Sequence, residues 1–350
     1  MELWTTLLER PDRVSELAAS REAEGWDGVA VADTQYYLPD PYVMLAAAAS
    51  ATSRLKLSTS TTNPLTRHPS VTAAAMATLQ AQSGGRAVLG IGRGDSSAFY
   101  VGKSPATARE FTAALRLLRD LLHGHAVRLP SVESVAAVVA AHEDTAGLRW
   151  IDRQLPPVPI DVYGSGPRTV AIAARYADRL TVAVGAELDR LSAVRRTLLA
   201  SELAAGKARP TMGAVILVSP HPDKRIARDL IRGFVASHAR FSAMSGQDRA
   251  DVPGRDRSVV VDVARSYDMA RHGDSGSSAT AGLSDEFVDR FAVVGDPQAC
   301  ARRVADLASL GFGHALLMPP GIDNDPVQRA VTLDLLNNEV LPRVKELLTV

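Results

Sequence analysis

Cysteine is almost missing from this chain: Cys300 is the only one in 350 residues. A single thiol excludes an intrachain disulfide and any zinc site built on paired thiolates, and a reducing compartment is expected. Lysine is also scarce, at five residues (Lys56, Lys103, Lys207, Lys224 and Lys345), so arginine carries nearly all the positive charge. An excess of one charge sign is absent too: 39 Lys and Arg balance 39 Asp and Glu. That excludes the broad basic field of a nucleic-acid binder, though not a local basic pocket. No apolar run reaches the roughly 20 residues of a membrane span; the longest lies near 42–51 and half of it is alanine. The chain opens on MELWTTL, with no basic-then-apolar leader. The expectation is a cytoplasmic protein with a small-molecule substrate, no nucleic acid and no membrane partner.

What is present is a rhythm. Short β-rich runs at 3–7, 28–32, 55–59, 87–91, 160–163, 180–184, 213–218 and 314–318 alternate with helical runs at 12–23, 41–51, 71–82, 108–122, 168–176, 187–205, 297–310 and 327–348. Parallel strands need long crossovers, so alternation of this kind predicts a parallel sheet. Eight units predict a closed (β/α)8 TIM barrel, with an open doubly wound sheet as the competing layout. The rhythm breaks twice, at about 124–155 and 220–290, which reads as insertions after strands four and seven of one domain, 1–350. The second break holds a Gly/Ser-rich stretch at 273–282, poor in apolar anchors and expected to be a mobile lid or lid-flanking loop over the barrel mouth, or else a surface loop with no role.

On a barrel, chemistry sits in the loops after the strand C-termini. After strand two stands Asp33, either a turn cap or a ligand contact. After strand three come Ser60, Thr61, Thr62 and Asn63 in a run of hydroxyl and amide side chains. They read as a solvated loop or as a hydrogen-bonding wall, since such groups are costly to bury unpaired. Strand four is followed by Gly92-Arg93-Gly94-Asp95, a tight turn or a close backbone approach to a ligand. The prompt helix of a nicotinamide fingerprint does not follow it. After strand five, Gly164-Ser165-Gly166-Pro167-Arg168-Thr169 opens a helix, an ordinary cap or an anion site. The eight histidines form no HExxH pair, so no metal site is expected. His272 begins the Gly/Ser-rich stretch.

These loops carry a resemblance. ELWTT (2–6), ADTQ (32–35), DPYVMLAAAASATSRLKL (40–57), TTNPLTRHPSVTAAAMATL (61–79), SGGRAVLGIGRGDSS (83–97), VYGSGPRTVAIAARYAD (162–178) and FAVVGDPQACARRVADLASLGFGHALL (291–317) together resemble the bacterial luciferase-like superfamily of flavin- or deazaflavin-dependent oxidoreductases. The similarity is closest to the branch that uses coenzyme F420, such as methylenetetrahydromethanopterin reductase. The resemblance implies a ring bound over the barrel mouth, with a non-proline cis peptide after strand three, here Ser60–Thr61. It implies that Asp33, Thr62 and Asn63 meet the ring or its ribityl chain, and that Gly92, Arg93 and Gly94 line the cofactor. Gly164, Ser165, Gly166, Arg168 and Thr169 would hold the phosphate. Asp95 and Glu2 match acids of the reductase branch and would donate or accept a proton. Several members carry His after the strand-two Asp, where this chain has Thr34.

The function implied is hydride transfer between F420 and a small organic substrate, by a homodimer or higher homo-oligomer. His272 would be a further catalytic candidate and, with Tyr36, would line the pocket, with Arg67, His68 and Arg93 meeting the acidic tail of F420. An FMN-dependent monooxygenase served by a flavin reductase is the alternative, and a non-catalytic flavin-binding protein the second. A phosphate-binding lyase or isomerase of the same fold would need a catalytic Lys or metal cluster at a strand end.

Overall fold

The computed structural model describes residues 1–7, 10–128, 144–243 and 252–349; parts of both expected insertions, 129–143 and 244–251, lie outside the described residues. The strands are β1 (Glu2–Thr6), β2 (Gly28–Val31), β3 (Lys56–Thr59), β4 (Ala87–Ile91), β5 (Val127–Arg128), β6 (Thr145–Ala146), β7 (Ile160–Tyr163), β8 (Arg179–Val182), β9 (Thr211–Pro220), β10 (Val293–Gly295) and β11 (His314–Met318). Eight of them pair in parallel in the order β1-β2-β3-β4-β7-β8-β9-β11, and β11 returns to β1, closing the expected (β/α)8 barrel. The first insertion carries a short antiparallel pair, β5 with β6. The spacing of the sequence missed β10. It is three residues long and pairs with the C-terminal end of β9, at Val293↔Val218, extending that strand beyond the expected 213–218.

Alternation along each strand splits the apolar residues into two cores. Leu3, Val29, Leu57, Leu89, Ile160, Leu180, Ile216 and Leu317 are buried under the surrounding helices. Trp4, Ala30, Val88, Val215 and Leu316 fill the inside of the barrel. Trp4 fits only because Gly28 opposite has no side chain: an added Cβ would lie 2.4 Å from the indole ring. Among the described residues, no helix is long and apolar enough to cross a membrane.

The second insertion builds a satellite core. The helix Lys224–Ala239, capped by Asp223, packs Ile231, Val235 and Ala236 against Val260, Val263, Leu283, Phe287 and Phe291. The stretch 273–282, expected to lack anchors, is tied down. Ala279 is fully buried, Thr280 Oγ1 donates to the Ser275 carbonyl at 3.1 Å and Ser275 Oγ donates to Asn324 Oδ1 at 3.1 Å. A Cβ on Gly233 would lie 2.0 Å from the Gly273 carbonyl oxygen. The loop therefore rests on the helix backbone itself.

Candidate functional site

The C-terminal ends of the barrel strands surround a cavity of about 670 Å³, within the roughly 300–1,000 Å³ of small-molecule sites. The loop after β2 contributes Ala32, Asp33 and Thr34, and the turn after β3 contributes Ser60 and Thr61. The loop after β4 adds Gly92, Arg93, Gly94, Asp95, Ser96 and Ser97, and the loop after β7 adds Gly164, Ser165, Gly166 and Thr169. Tyr163, Thr181, Val215, Leu316 and Met318 make its floor, and Ser237, His238, Phe241, Ser242 and His272 reach it from the second insertion.

Most of the expected cofactor residues thus meet in one place. The Ser60–Thr61 peptide is cis, as the resemblance implied. Asp33 lies at the cavity wall, buried, and accepts a hydrogen bond from Thr62 Oγ1 at 2.7 Å; burial pushes its carboxyl above the usual range, against the Thr62 bond and the Arg67 charge. Gly92 leaves the wall open where an added Cβ would come 3.3 Å from Thr61 Oγ1. Arg93 is the arginine among the lining residues, held by its Nε donating to the Ala106 carbonyl. Gly166 is the N-cap of the helix Pro167–Tyr176, with Pro167 at its first position. Its unpaired first-turn N–H groups and positive end thus adjoin the cavity lining. Ser165 Oγ accepts from the Ala183 N–H at 3.0 Å, which ties the loop to the end of β8.

Several expected residues stand elsewhere. Thr62 and Asn63 are buried behind the wall: Thr62 supports Asp33, and Asn63 donates to Ser97 Oγ at 2.9 Å. They shape the wall rather than touch the cavity. Arg168 is exposed and points away from the lining, because it occupies the outer face of the helix while Thr169 takes the inner one. Arg67 pairs with Asp40 and lies over the Tyr42 ring at 4.6 Å, and His68 caps the helix Pro69–Ser83; neither lines the cavity. Tyr36 is 71 % exposed on the rim, 5.2 Å from the Tyr100 ring centroid.

The largest correction concerns Glu2. It begins β1, at the N-terminal face of the barrel, and Thr6 is the residue of that strand that reaches the cavity. Glu2 accepts hydrogen bonds from Lys56, from Arg179 at 2.9 Å and from Trp4 Nε1 at 3.0 Å. Burial alone would raise its carboxyl, but the Lys56 and Arg179 cations, with the Trp4 N–H, outweigh it and hold it at about 2. It is a structural ion-pair centre with no access to a bound ring. Asp95 does line the cavity, but both its oxygens face the Arg240 guanidinium, with Nη1 to Oδ1 at 3.1 Å. A carboxylate so engaged is occupied as an acceptor.

The sequence reading missed His238, which lies at the cavity end of the helix Lys224–Ala239 and donates Nδ1–H to the Phe234 carbonyl at 2.9 Å. Burial pushes His238 down to about 4, and burial with the Arg240 charge does the same to His272. Both rings are therefore neutral imidazoles near pH 7. Among the described residues, no group of His, Cys, Asp and Glu is placed to hold a metal ion.

A family model described as luciferase-like monooxygenase matches residues 3–314. The chain is 27% identical over 329 residues to a 5,10-methylenetetrahydromethanopterin reductase of Archaeoglobus fulgidus, covering 93% of each protein. It is 28% identical over 332 residues to an F420-dependent glucose-6-phosphate dehydrogenase of Kineococcus radiotolerans, covering 89% of this chain and 88% of the relative. The solved structure of the coenzyme F420 dependent tetrahydromethanopterin reductase from Methanopyrus kandleri shares the fold, with a TM-score of 0.71 at 21% identity over 98% of this chain and 99% of the other. With a closed barrel and a family match spanning most of its length, the chain belongs to the luciferase-like monooxygenase family.

Proposed function

We propose that this protein is an oxidoreductase that moves a hydride between coenzyme F420 and a small organic substrate. The observation that carries the reading is the cavity itself: a slot over the barrel with an open glycine wall at Gly92, a helix N-terminus at Gly166 and Arg93 on its lining. That combination suits a flat polar ring with an anionic tail. Full-length relatives named as F420-dependent support the same choice. When bound, the deazaflavin supplies a ring carbon that gives or takes a hydride.

The residues of this chain do the rest. The first turn of the helix Pro167–Tyr176, with Ser165 and Thr169, holds the phosphate. Asp33, kept in place by Thr62, is a polar contact for the ring edge, and Ser60, Thr61, Gly92 and Gly94 fit its faces. Arg93 meets the negative charge of the tail. Tyr163, Val215, Leu316 and Met318 close the floor and keep water from the ring.

The FMN-dependent monooxygenase would use the same cradle, and the family's name favours keeping it as the second reading. The test is a turnover assay in which F420, oxidised or reduced, is mixed with the protein and a panel of alcohols, aldehydes and ketones while F420 absorbance is followed. Substrate-dependent change in absorbance is expected. Tight F420 binding without any redox change across the panel would instead leave a binding protein.

A further inference from the structure

Two histidines share the insertion side of the cavity, and their protein partners hold them in opposite tautomers. His238 Nδ1 lies 2.9 Å from the Phe234 carbonyl oxygen and 3.0 Å from Ser237 Oγ, whose own hydroxyl donates to that same carbonyl and leaves its oxygen to accept. A carbonyl only accepts, so Nδ1 carries the proton and Nε2 carries a lone pair. His272 Nδ1 lies 2.8 Å from the Tyr267 hydroxyl. That hydroxyl oxygen already accepts the Gly273 N–H at 3.3 Å and a hydrogen bond from Arg240, whose guanidinium lies over the Tyr267 ring, 4.4 Å from its centroid. With donors on its oxygen, Tyr267 sends its own proton to His272 Nδ1, and the His272 proton is left on Nε2. Both rings line the cavity, and among the described residues neither Nε2 is hydrogen-bonded to the protein.

The insertion side of the cavity thus carries one N–H donor and one lone pair, both uncharged. A carbonyl oxygen takes the donor. An alcohol hydroxyl takes both, accepting from His272 and donating to His238. A carboxylate finds only one donor there and meets the His238 lone pair with its own. Arg240 does not supply the missing charge, because it is bound to Asp95.

Building on the oxidoreductase reading, we infer that His272 is the catalytic proton donor to the substrate oxygen, that His238 orients that oxygen, and that the substrate is a ketone or aldehyde interconverted with its alcohol. In the reducing direction, a hydride from the reduced deazaflavin forms the new C–H bond and the carbonyl π pair moves onto oxygen. The oxygen takes the Nε2 proton of His272, and Nδ1 takes the Tyr267 proton. Tyr267 takes a proton from solvent in the same relay, because burial raises the pKa of its hydroxyl and disfavours a free tyrosinate. Alcohol oxidation runs through the same atoms in reverse. Tyr267 is a positioning residue: it acts only through His272. The groups that bear on this pair are Arg240, Asp95, Tyr267 and Ser237, and the one acid among them, Asp95, is engaged by Arg240.

The test uses whole protein labelled with ¹⁵N-histidine. At pH 7 the spectrum is expected to show His272 protonated at Nε2 and His238 at Nδ1. Tyr267→Phe keeps the ring over Arg240 and removes only the hydroxyl; it is expected to move the His272 nitrogens towards exchange-averaged values and leave His238 unchanged. With F420 bound, cyclohexanol is expected to shift both Nε2 signals and cyclohexanone mainly that of His272. In the turnover assay, His272→Phe is expected to lower kcat at least 100-fold, as loss of a general acid does, and His272→Gln, which keeps an N–H donor, by less. F420 affinity should stay within twofold in both. A His272 proton on Nδ1, a spectrum unmoved by Tyr267→Phe, no shift with either probe, or a His272→Phe kcat within threefold of the parent overturns the assignment. Failure of the parent protein to bind F420 defeats the cofactor reading instead and leaves the tautomers standing.

Discussion

Asp95 and Arg240 are 145 positions apart in the chain and meet at the cavity mouth as a two-armed ion pair, with Arg240 nearly buried between the rings of Phe241 and Tyr267. The pair stitches the loop after β4 to the end of the insertion helix. Removing the carboxylate takes the ion-pair partner from a buried guanidinium, so Asp95→Asn is expected to cost about 2–4 kcal/mol of stability, towards the low end of buried pairs because Asp95 is partly exposed. Assayed well below its melting temperature, the variant should keep turnover within about tenfold of the parent. A loss of about 100-fold or more in folded protein is the range of a general acid and would restore Asp95 to that role.

Glu2 makes a prediction about stability and none about chemistry. Its carboxyl sits near 2 in the folded protein, below its ordinary value. Its contribution is therefore complete above the ordinary carboxyl range and is lost as pH falls from there towards 2. Glu2→Gln is expected to lower stability at pH 7 by about 1–2 kcal/mol, discounted for partial exposure. The gap between parent and variant should close as the pH is lowered. Unfolding curves at pH 7, 4 and 3 check it; F420 affinity should be unchanged throughout.

Gly166 separates the phosphate site from the fold. Its backbone is extended, at φ −74° and ψ 147°, a conformation any residue adopts. Gly166→Leu should therefore fold with a melting temperature close to the parent's while its side chain crowds the helix N-terminus, lowering F420 affinity at least tenfold. Equal affinity would place the phosphate elsewhere.

Gly233 tests whether the 273–282 segment is held by the insertion helix. A Cβ there would meet the Gly273 carbonyl at 2.0 Å and the Ser275 nitrogen at 2.6 Å, both backbone atoms that cannot swing aside. Gly233→Ala is expected to cost about 1–3 kcal/mol, as overpacking does, and to lower kcat with little effect on F420 affinity, since it displaces the neighbouring His272. Unchanged stability and turnover would show that the loop stands free of the helix.

The barrel and half of its site were legible because their signals are local. Asp33, the Ser60–Asn63 run, Gly92–Asp95 and Gly164–Thr169 each follow a strand directly, so finding the strand finds the loop. Glu2 was misplaced although the signal was available. A residue that starts a parallel barrel strand lies at the N-terminal face, several residues and roughly 3.3 Å per residue from the mouth. His238 and Phe241 were not legible, because the periodicity of 224–239 says which face of a helix is buried and nothing about which cavity its end approaches. Arg67 was misread for the same reason: its partner Asp40 lies 27 positions away, across the fold.

The most direct test of the account is a paired titration of the purified protein with F420 and with FMN, read by fluorescence. The account predicts saturable, one-to-one F420 binding at micromolar concentration or tighter, at least tenfold tighter than FMN, and weakened by Gly166→Leu. FMN binding in preference to F420, or F420 binding insensitive to Gly166→Leu, would contradict it.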